Sequence, residues 1–314
     1  LNSSVYRLLL IDTSESTIFH GLEMSGKPWA YHRNDPIALK ALDEANPEIA
    51  CIHVDQLIPL LSRRDWPKVL DIATTADIEA MFAGAKIINR AFTLSGTELS
   101  SCLSAWGVDE RWFHVRLQDL LKLGSRVSYD TGVRGVSRSL LPLNAQWFEM
   151  KRFLPDLSTP AFEYGFGYEH PDISALACPL QKSVWSLFDW KVERHLSPDE
   201  AKRHQFFVEA PKGVPLIACF AGDALEVFWP RERVDVDLGQ VNEVVDAAKR
   251  VFCAEAGEVL LYAEDRSLRF YAFSPHLLSV AEEPAFQSML SNWLVPPHLD
   301  AVRSLADAAP RIVH

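Results

Sequence analysis

Two apolar runs near the carboxyl end, Glu258 to Ala263 and Leu268 to Phe273, flank the polar quartet Glu264-Asp265-Arg266-Ser267. Short apolar runs around a polar turn predict a β-hairpin. Ahead of it, Val241, Val244, Val245, Ala248, Val251 and Phe252 recur at helical spacing. A helix is therefore expected over Gln240 to Ala256, with Gly257 as its stop. Pro275 closes the hairpin, and a further helix is expected over Phe286 to Leu294.

The first hundred residues carry a different rhythm. Leu8 to Ile11 reads as a strand that ends in Asp12 and a Thr-Ser-Glu-Ser cluster, a loop chemistry that suits a helix N-cap. Trp29 to Tyr31, Ile49 to Val54 and Lys86 to Arg90 read as further strands, and Pro36 to Ala45 and Asp77 to Ala83 as helices. Such alternation predicts a parallel sheet flanked by helices. No GxGxxG or GxxxxGK[ST] follows any of these strands, which excludes a Rossmann dinucleotide site and a P-loop on motif grounds.

Between these regions the pattern predicts a helix over Thr97 to Trp106 stopped by Gly107, then an aromatic strand over Trp112 to Val115. Gln205 to Glu209 reads as a strand, and Val214 to Cys219, Gly222-Asp223 and Leu225 to Trp229 as another hairpin; Pro215, which removes a ladder donor, suits an edge strand there. Residues 140 to 202 hold six prolines, at 142, 155, 160, 171, 179 and 198, and clusters such as Phe162 to Tyr168. Proline with aromatic density favours packed irregular loops with short helices, either for recognition or to cover a sheet. Glu169, His170 and Asp172 stand close together there, without the spacings of a metal site.

Composition narrows the class. At 314 residues with 48% hydrophobic and 23% charged side chains, the chain has material for two or three subdomains of a soluble globular protein. No apolar run reaches the roughly 18 residues that cross a bilayer, and the start lacks a secretory h-region, so a cytoplasmic location is expected. A net charge of −11 disfavours nucleic acid and anionic membrane as partners. Cys51, Cys102, Cys178, Cys219 and Cys253 are odd in number and widely spaced, which suits reduced core residues.

The order of elements resembles the ATP-grasp superfamily, in the branch of ribosomal-protein glutamate ligases, glutathione synthetases and peptide-macrocyclising ligases. The likeness spans roughly residues 86 to 137 and 204 to 295. It implies an α/β fold with α+β subdomains: an amino-terminal open α/β domain over residues 1 to 94, then two subdomains with antiparallel sheets, 95 to 230 (with the 140 to 202 insertion) and 231 to 314. The family's Ser-Lys pair aligns with Ser95, Gly96, Thr97 and Glu98, without a lysine. Its nucleotide-binding lysine falls on Ser128, in a segment running to a flap with Gly132 and Gly135, where Arg126 or Arg134 offers the remaining cation. The hinge strand that pairs with an adenine edge matches Gln205, Phe207, Val208 and Glu209, and the next strand's arginine is replaced around Pro215.

In active members the final hairpin holds magnesium through a carboxylate on its first strand and a Glu-x-Asn on its second. Those positions fall on Tyr262, Ala272 and Ser274. Phosphoryl transfer depends on lysine, arginine and magnesium together, so losing all of them predicts a degenerate member that binds a ligand or protein partner, with no cofactor and no metal. An active carboxylate–amine ligase is the alternative, its nucleotide site rebuilt from Arg126, Arg134, Glu209, Glu264 and Asp265 with ATP and magnesium. A structural subunit that uses the aromatic insertion as an interface is the third. Partner class (small molecule, peptide or protein) and oligomeric state stay open.

Overall fold

The structure is a computed structural model that describes residues 8–12, 49–53, 86–89, 126–129, 141–165, 170–184, 187–188, 205–264, 267–275, 277, 279–280 and 283–294, with single positions between 103 and 115. The expected elements at Trp29 to Tyr31, Pro36 to Ala45 and Asp77 to Ala83 lie outside the described residues, as do Ser95 to Glu98, Gly132, Arg134, Gly135, Glu169 and Asp265.

Three sheets organise the chain. The first is parallel, with β1 (Leu8–Asp12) between β2 (Ile49–His53) and β3 (Lys86–Asn89), and β4 (Arg126–Val127) added beside β3. The expected parallel sheet is thus present, and it runs past residue 94 to take in β4. Parallel pairing needs a crossover and is nonlocal, so the sequence around Arg126 does not announce it. A further correction concerns Trp112 and Phe113, which are helical instead of extended. Asp109 begins that turn: its Oδ1 accepts from Trp112 N at 3.4 Å, and its carbonyl accepts from Phe113 N at 3.0 Å.

Helix α1 (Leu143–Phe153) follows, then β5 (Phe162–Tyr164), β6 (Pro179–Gln181) and β7 (Phe206–Glu209). These strands make an antiparallel sheet in the order β5-β7-β6. The region expected as irregular loops with short helices therefore supplies a helix, as expected, and also two of this sheet's three strands. Strands of three residues are too short to show period-two alternation, which hid them.

The third sheet is antiparallel, in the order β11-β10-β8-β9: β8 (Val214–Ala221), β9 (Ala224–Phe228), β10 (Ala256–Glu264) and β11 (Ser267–Ser274). Both expected hairpins are present, and they form one sheet across residue 230. Strand β8 is interior, not an edge. Pro215 is tolerated because β9 pairs only with Ile217 to Ala221, leaving Pro215 flanked on the β10 side alone.

Helix α2 (Leu238–Phe252) packs on one face of this sheet, where Phe252 stacks on Phe273 with ring centroids 4.4 Å apart. Asp237 caps its start by accepting from Gly239 N at 2.8 Å. The helix ends at Cys253 in the left-handed region (φ 52°), four residues before Gly257. The chain then docks on Ser128, whose carbonyl accepts from Glu255 N at 2.8 Å and Ala256 N at 3.0 Å. Gly257 answers to packing instead: a Cβ there would run into the Phe273 ring. Helix α3 (Pro284–Leu294) begins on a proline, whose missing N–H costs nothing in the first turn. Among the described residues no helix is long and apolar enough to cross a membrane.

The outer edge of β11 is closed by side chains and one loop. Gln146 of α1 is buried and acts as a peptide surrogate: Phe273 N donates to its Oε1 at 2.7 Å, and its Nε2 donates to Phe273 O at 3.2 Å. Trp147 Nε1 donates to Tyr271 O at 2.8 Å, and Phe270 N donates to Ser158 O at 2.9 Å. A buried N–H and C=O left unpaired cost about 1–3 kcal/mol each. Gln146→Ala is accordingly expected to lower stability by about 2–4 kcal/mol in urea unfolding, and a loss within experimental scatter would contradict this role.

Candidate functional site

The face of the third sheet opposite α2 carries the positions at issue. Alternation along β10 puts Glu258, Leu260, Tyr262 and Glu264 on that face. The register pairs Glu258 with Ser274, Leu260 with Ala272 and Tyr262 with Arg269. Pairing shifts between Leu260 and Leu261, which leaves Tyr271 as the extra residue of a β-bulge. That extra residue is what brings Arg269, Ala272 and Ser274 onto one face. Tyr262, Ala272 and Ser274 thus share one face, spread along the hairpin.

A carboxylate stands on this face that the sequence alignment passed over. Glu258 is fully buried and directly opposite Ser274. Its Oε1 accepts from Ser279 N at 2.8 Å and its Oε2 from Ser279 Oγ at 2.9 Å. The signal was its place immediately after Gly257. On its other side it pairs with Cys219, whose thiol is pushed well above its ordinary value by burial first and then by the charges of Glu258 and Glu226. Cys219 is consequently a protonated core residue.

Arg269 is the second residue the sequence did not single out. Its Nη1 lies 3.6 Å from Glu209 Oε2, its Nη2 3.4 Å from Glu264 Oε2, and its Nε donates to Ser158 Oγ at 3.1 Å. Glu209 also pairs with Lys212 Nζ at 3.0 Å. One guanidinium therefore joins the end of β7 to both strands of the hairpin. Tyr262 and Tyr271 pack beside it with ring centroids 4.5 Å apart. Burial pushes the Tyr271 phenol up, against the opposing charge of Arg269.

The hinge strand is engaged on both edges. Strand β5 pairs with one side of Phe206 to Val208 and β6 with the other. Gln205 O accepts from Gly165 N, Phe206 O from Lys182 N, and Glu209 N donates to Ala161 O. Val208 is fully buried in the core, whereas Phe207 lies under the His170 ring at 5.0 Å. Arg126 stands in the first sheet, apart from the sheet of Gln205 to Glu209, and Ser128, aligned with the family's lysine, is fully buried. Asp172 is spent on a local turn: Ser174 N donates to its Oδ1 at 3.0 Å, which holds its carboxyl below the usual range.

Magnesium needs several converging hard oxygens. Among the described residues no group of three or more His, Cys, Asp or Glu could hold a metal ion. The aligned positions offer a phenol, a methyl group and a hydroxyl. Both Glu258 oxygens accept from Ser279, and Glu209 and Glu264 face Arg269. These residues do not fit the metal.

No protein-family model and no curated protein sequence matches the chain. Solved structures do. The ATP-grasp ligase PsnB, complexed with a phosphomimetic variant of its minimal precursor, magnesium and ADP, has a TM-score of 0.52 at 11% identity, covering 93% of this chain and 98% of that one. The same ligase with minimal precursor, magnesium and ADP gives 0.50 at 10%, covering 93% and 99%. An ATP-grasp RimK domain protein from Sphaerobacter thermophilus gives 0.49 at 12%, covering 92% and 99%. The chain has the ATP-grasp fold, and identities this low show the fold alone.

Tyr262 provides a check on this face. Burial, with Tyr271 adding and Arg231 opposing, pushes its phenol from 10.0 up to about 12. A raised folded value means stability is fully present below pH 10.0 and lost as pH rises toward about 12. Urea midpoints should fall through that window less steeply in Tyr262→Phe than in the parent, and identical slopes would contradict the buried setting.

Proposed function

We propose that this chain is an ATP-grasp-fold protein that binds a ligand or a protein partner and does not carry out the magnesium–ATP-dependent joining of a carboxylate to an amine. The observation that supports this best is Arg269. It places a fixed cation between Glu209 and Glu264, at the corner where hinge and hairpin meet. A guanidinium there neutralises the carboxylates that a rebuilt metal site would need, and it cannot be exchanged with substrate. The engaged hinge supports the same reading: an adenine edge would have to displace β5 or β6 to reach the backbone of Phe206 to Val208.

The hinge and hairpin nevertheless keep groups suited to binding. Among the described residues Gln205 Oε1 is buried without a hydrogen bond, and Arg269 Nη1 is buried without one, at 3.6 Å from Glu209 Oε2. Buried polar atoms ordinarily find a partner, so an acceptor and a donor remain for a ligand or water to satisfy. The likeness to PsnB, solved with its precursor, adds a peptide or protein segment to the candidate ligands. One observation favours an active ligase instead, the Glu258 carboxylate opposite Ser274, yet Ser279 already supplies both of its oxygens with donors.

Thermal melting with ATP and magnesium separates the two readings. A ligand at about 100 times its dissociation constant stabilises a fold by about 2.7 kcal/mol. No shift is expected with ATP and magnesium together. A magnesium-dependent rise in Tm refutes the proposal, and ADP release with a carboxylate substrate would establish the ligase.

A further inference from the structure

Among the described residues, one edge of strand β5 is open. In its ladder with β7, Gly165 N donates to Gln205 O and Ala161 O accepts from Glu209 N. With Glu163 opposite Phe207, those bonds fix residues 161, 163 and 165 as the ones facing β7. The N–H and C=O groups of Phe162 and Tyr164 therefore point away from the sheet, and none has a partner among the described residues. Unpaired edges of this kind are templates for another strand.

The side chains beside that edge are aromatic and exposed. Tyr164 is 59% exposed and Phe148 of α1 is 57% exposed. Phe162 stacks on Tyr164 at 6.3 Å and meets Phe148 edge-on at 5.8 Å, while Trp147 at 5.2 Å holds Phe162 from beneath. A rail of rings is thus fixed along one face of the edge. On the other face stands the exposed carboxylate of Glu163.

We propose that the open edge of β5 receives an extended segment of another polypeptide, in which apolar or aromatic residues alternate with lysine or arginine. Added as a fourth strand, such a segment lays its apolar residues on Phe148, Phe162 and Tyr164 and its basic residues beside Glu163. Charge selects this occupant over a second copy of the chain. The two-fold antiparallel register that uses all four outward groups sets Glu163 against Glu163 of the copy as a close, non-hydrogen-bonded pair, and like charges so placed repel. The chain's net charge of −11 also favours a basic partner over an acidic one.

This site gives the partner-binding reading a chemical class and rests on that reading. The two fail separately, because stabilisation by ATP and magnesium would refute the loss of ligation without touching the β5 edge.

The probe is a fluorescein-labelled six-residue peptide alternating lysine with valine and tyrosine, titrated into the full chain by anisotropy. The same peptide with glutamate for lysine is the comparison. The basic peptide should bind, and the acidic one should bind at least about tenfold more weakly. Glu163→Lys should reverse that preference. Tyr164→Pro removes an outward N–H while leaving the β7 ladder donors in place, and should weaken binding of the basic peptide by about tenfold or more. Near-UV circular dichroism confirms that both variants are folded. Hydrogen exchange on the parent chain is independent of any variant: the Phe162 and Tyr164 amides should slow when peptide is added. Absence of binding, equal affinity for both peptides, or protection confined to other segments overturns the proposal. A parent chain that sedimentation shows to dimerise through β5 does so as well.

Discussion

The outer edge of β11 is the constraint from which the site's arrangement follows. A buried strand edge has to be satisfied, and among the described residues no further strand does it. Gln146, Trp147 and the loop at Ser158 pair with Phe273, Tyr271 and Phe270 instead. This fixes α1 and the residues after it against the hairpin. The chain continues from Ser158 directly into β5, which pairs with β7, so the hinge strand is held between two neighbours. Its end then places Glu209 within reach of Arg269.

The chemistry of the corner between hinge and hairpin follows from that geometry. The corner where hinge and hairpin meet is occupied by the Arg269 guanidinium. This chain presents a covalently attached cation there. It also presents a buried carboxylate, Glu258, whose two oxygens each accept from Ser279. A buried carboxylate with two good donors is well satisfied and has little to gain by rearranging around a metal. Glu258, Glu209 and Glu264 are thus all engaged by groups of the protein itself.

Much of the framework was legible in the sequence because it depends on local pattern. The hairpin from Glu258 to Phe273, the hinge strand and the strands at Leu8, Ile49 and Lys86 all carry runs long enough to read. What was hidden depends on nonlocal contacts. Membership of Arg126 in the first sheet is set by parallel pairing with Lys86. The helix ends at Cys253 instead of Gly257 because the chain docks on Ser128. Strands β5 and β6 are too short to show a period. At the site, Arg269 looked like any outward arginine in a strand. Only the register opposite Tyr262, with the bulge at Tyr271, sets it between Glu209 and Glu264.

The central claim is that the hairpin face no longer holds metal, and anomalous scattering tests it most directly. Crystals grown with manganese and a non-hydrolysable ATP analogue would be measured at a wavelength where manganese scatters strongly. The account predicts no manganese peak beside Glu258, Tyr262 or Ser274, with the Arg269 guanidinium still seated between Glu209 and Glu264. A manganese peak on that face, with Arg269 or Ser279 swung aside to admit it, would contradict the account.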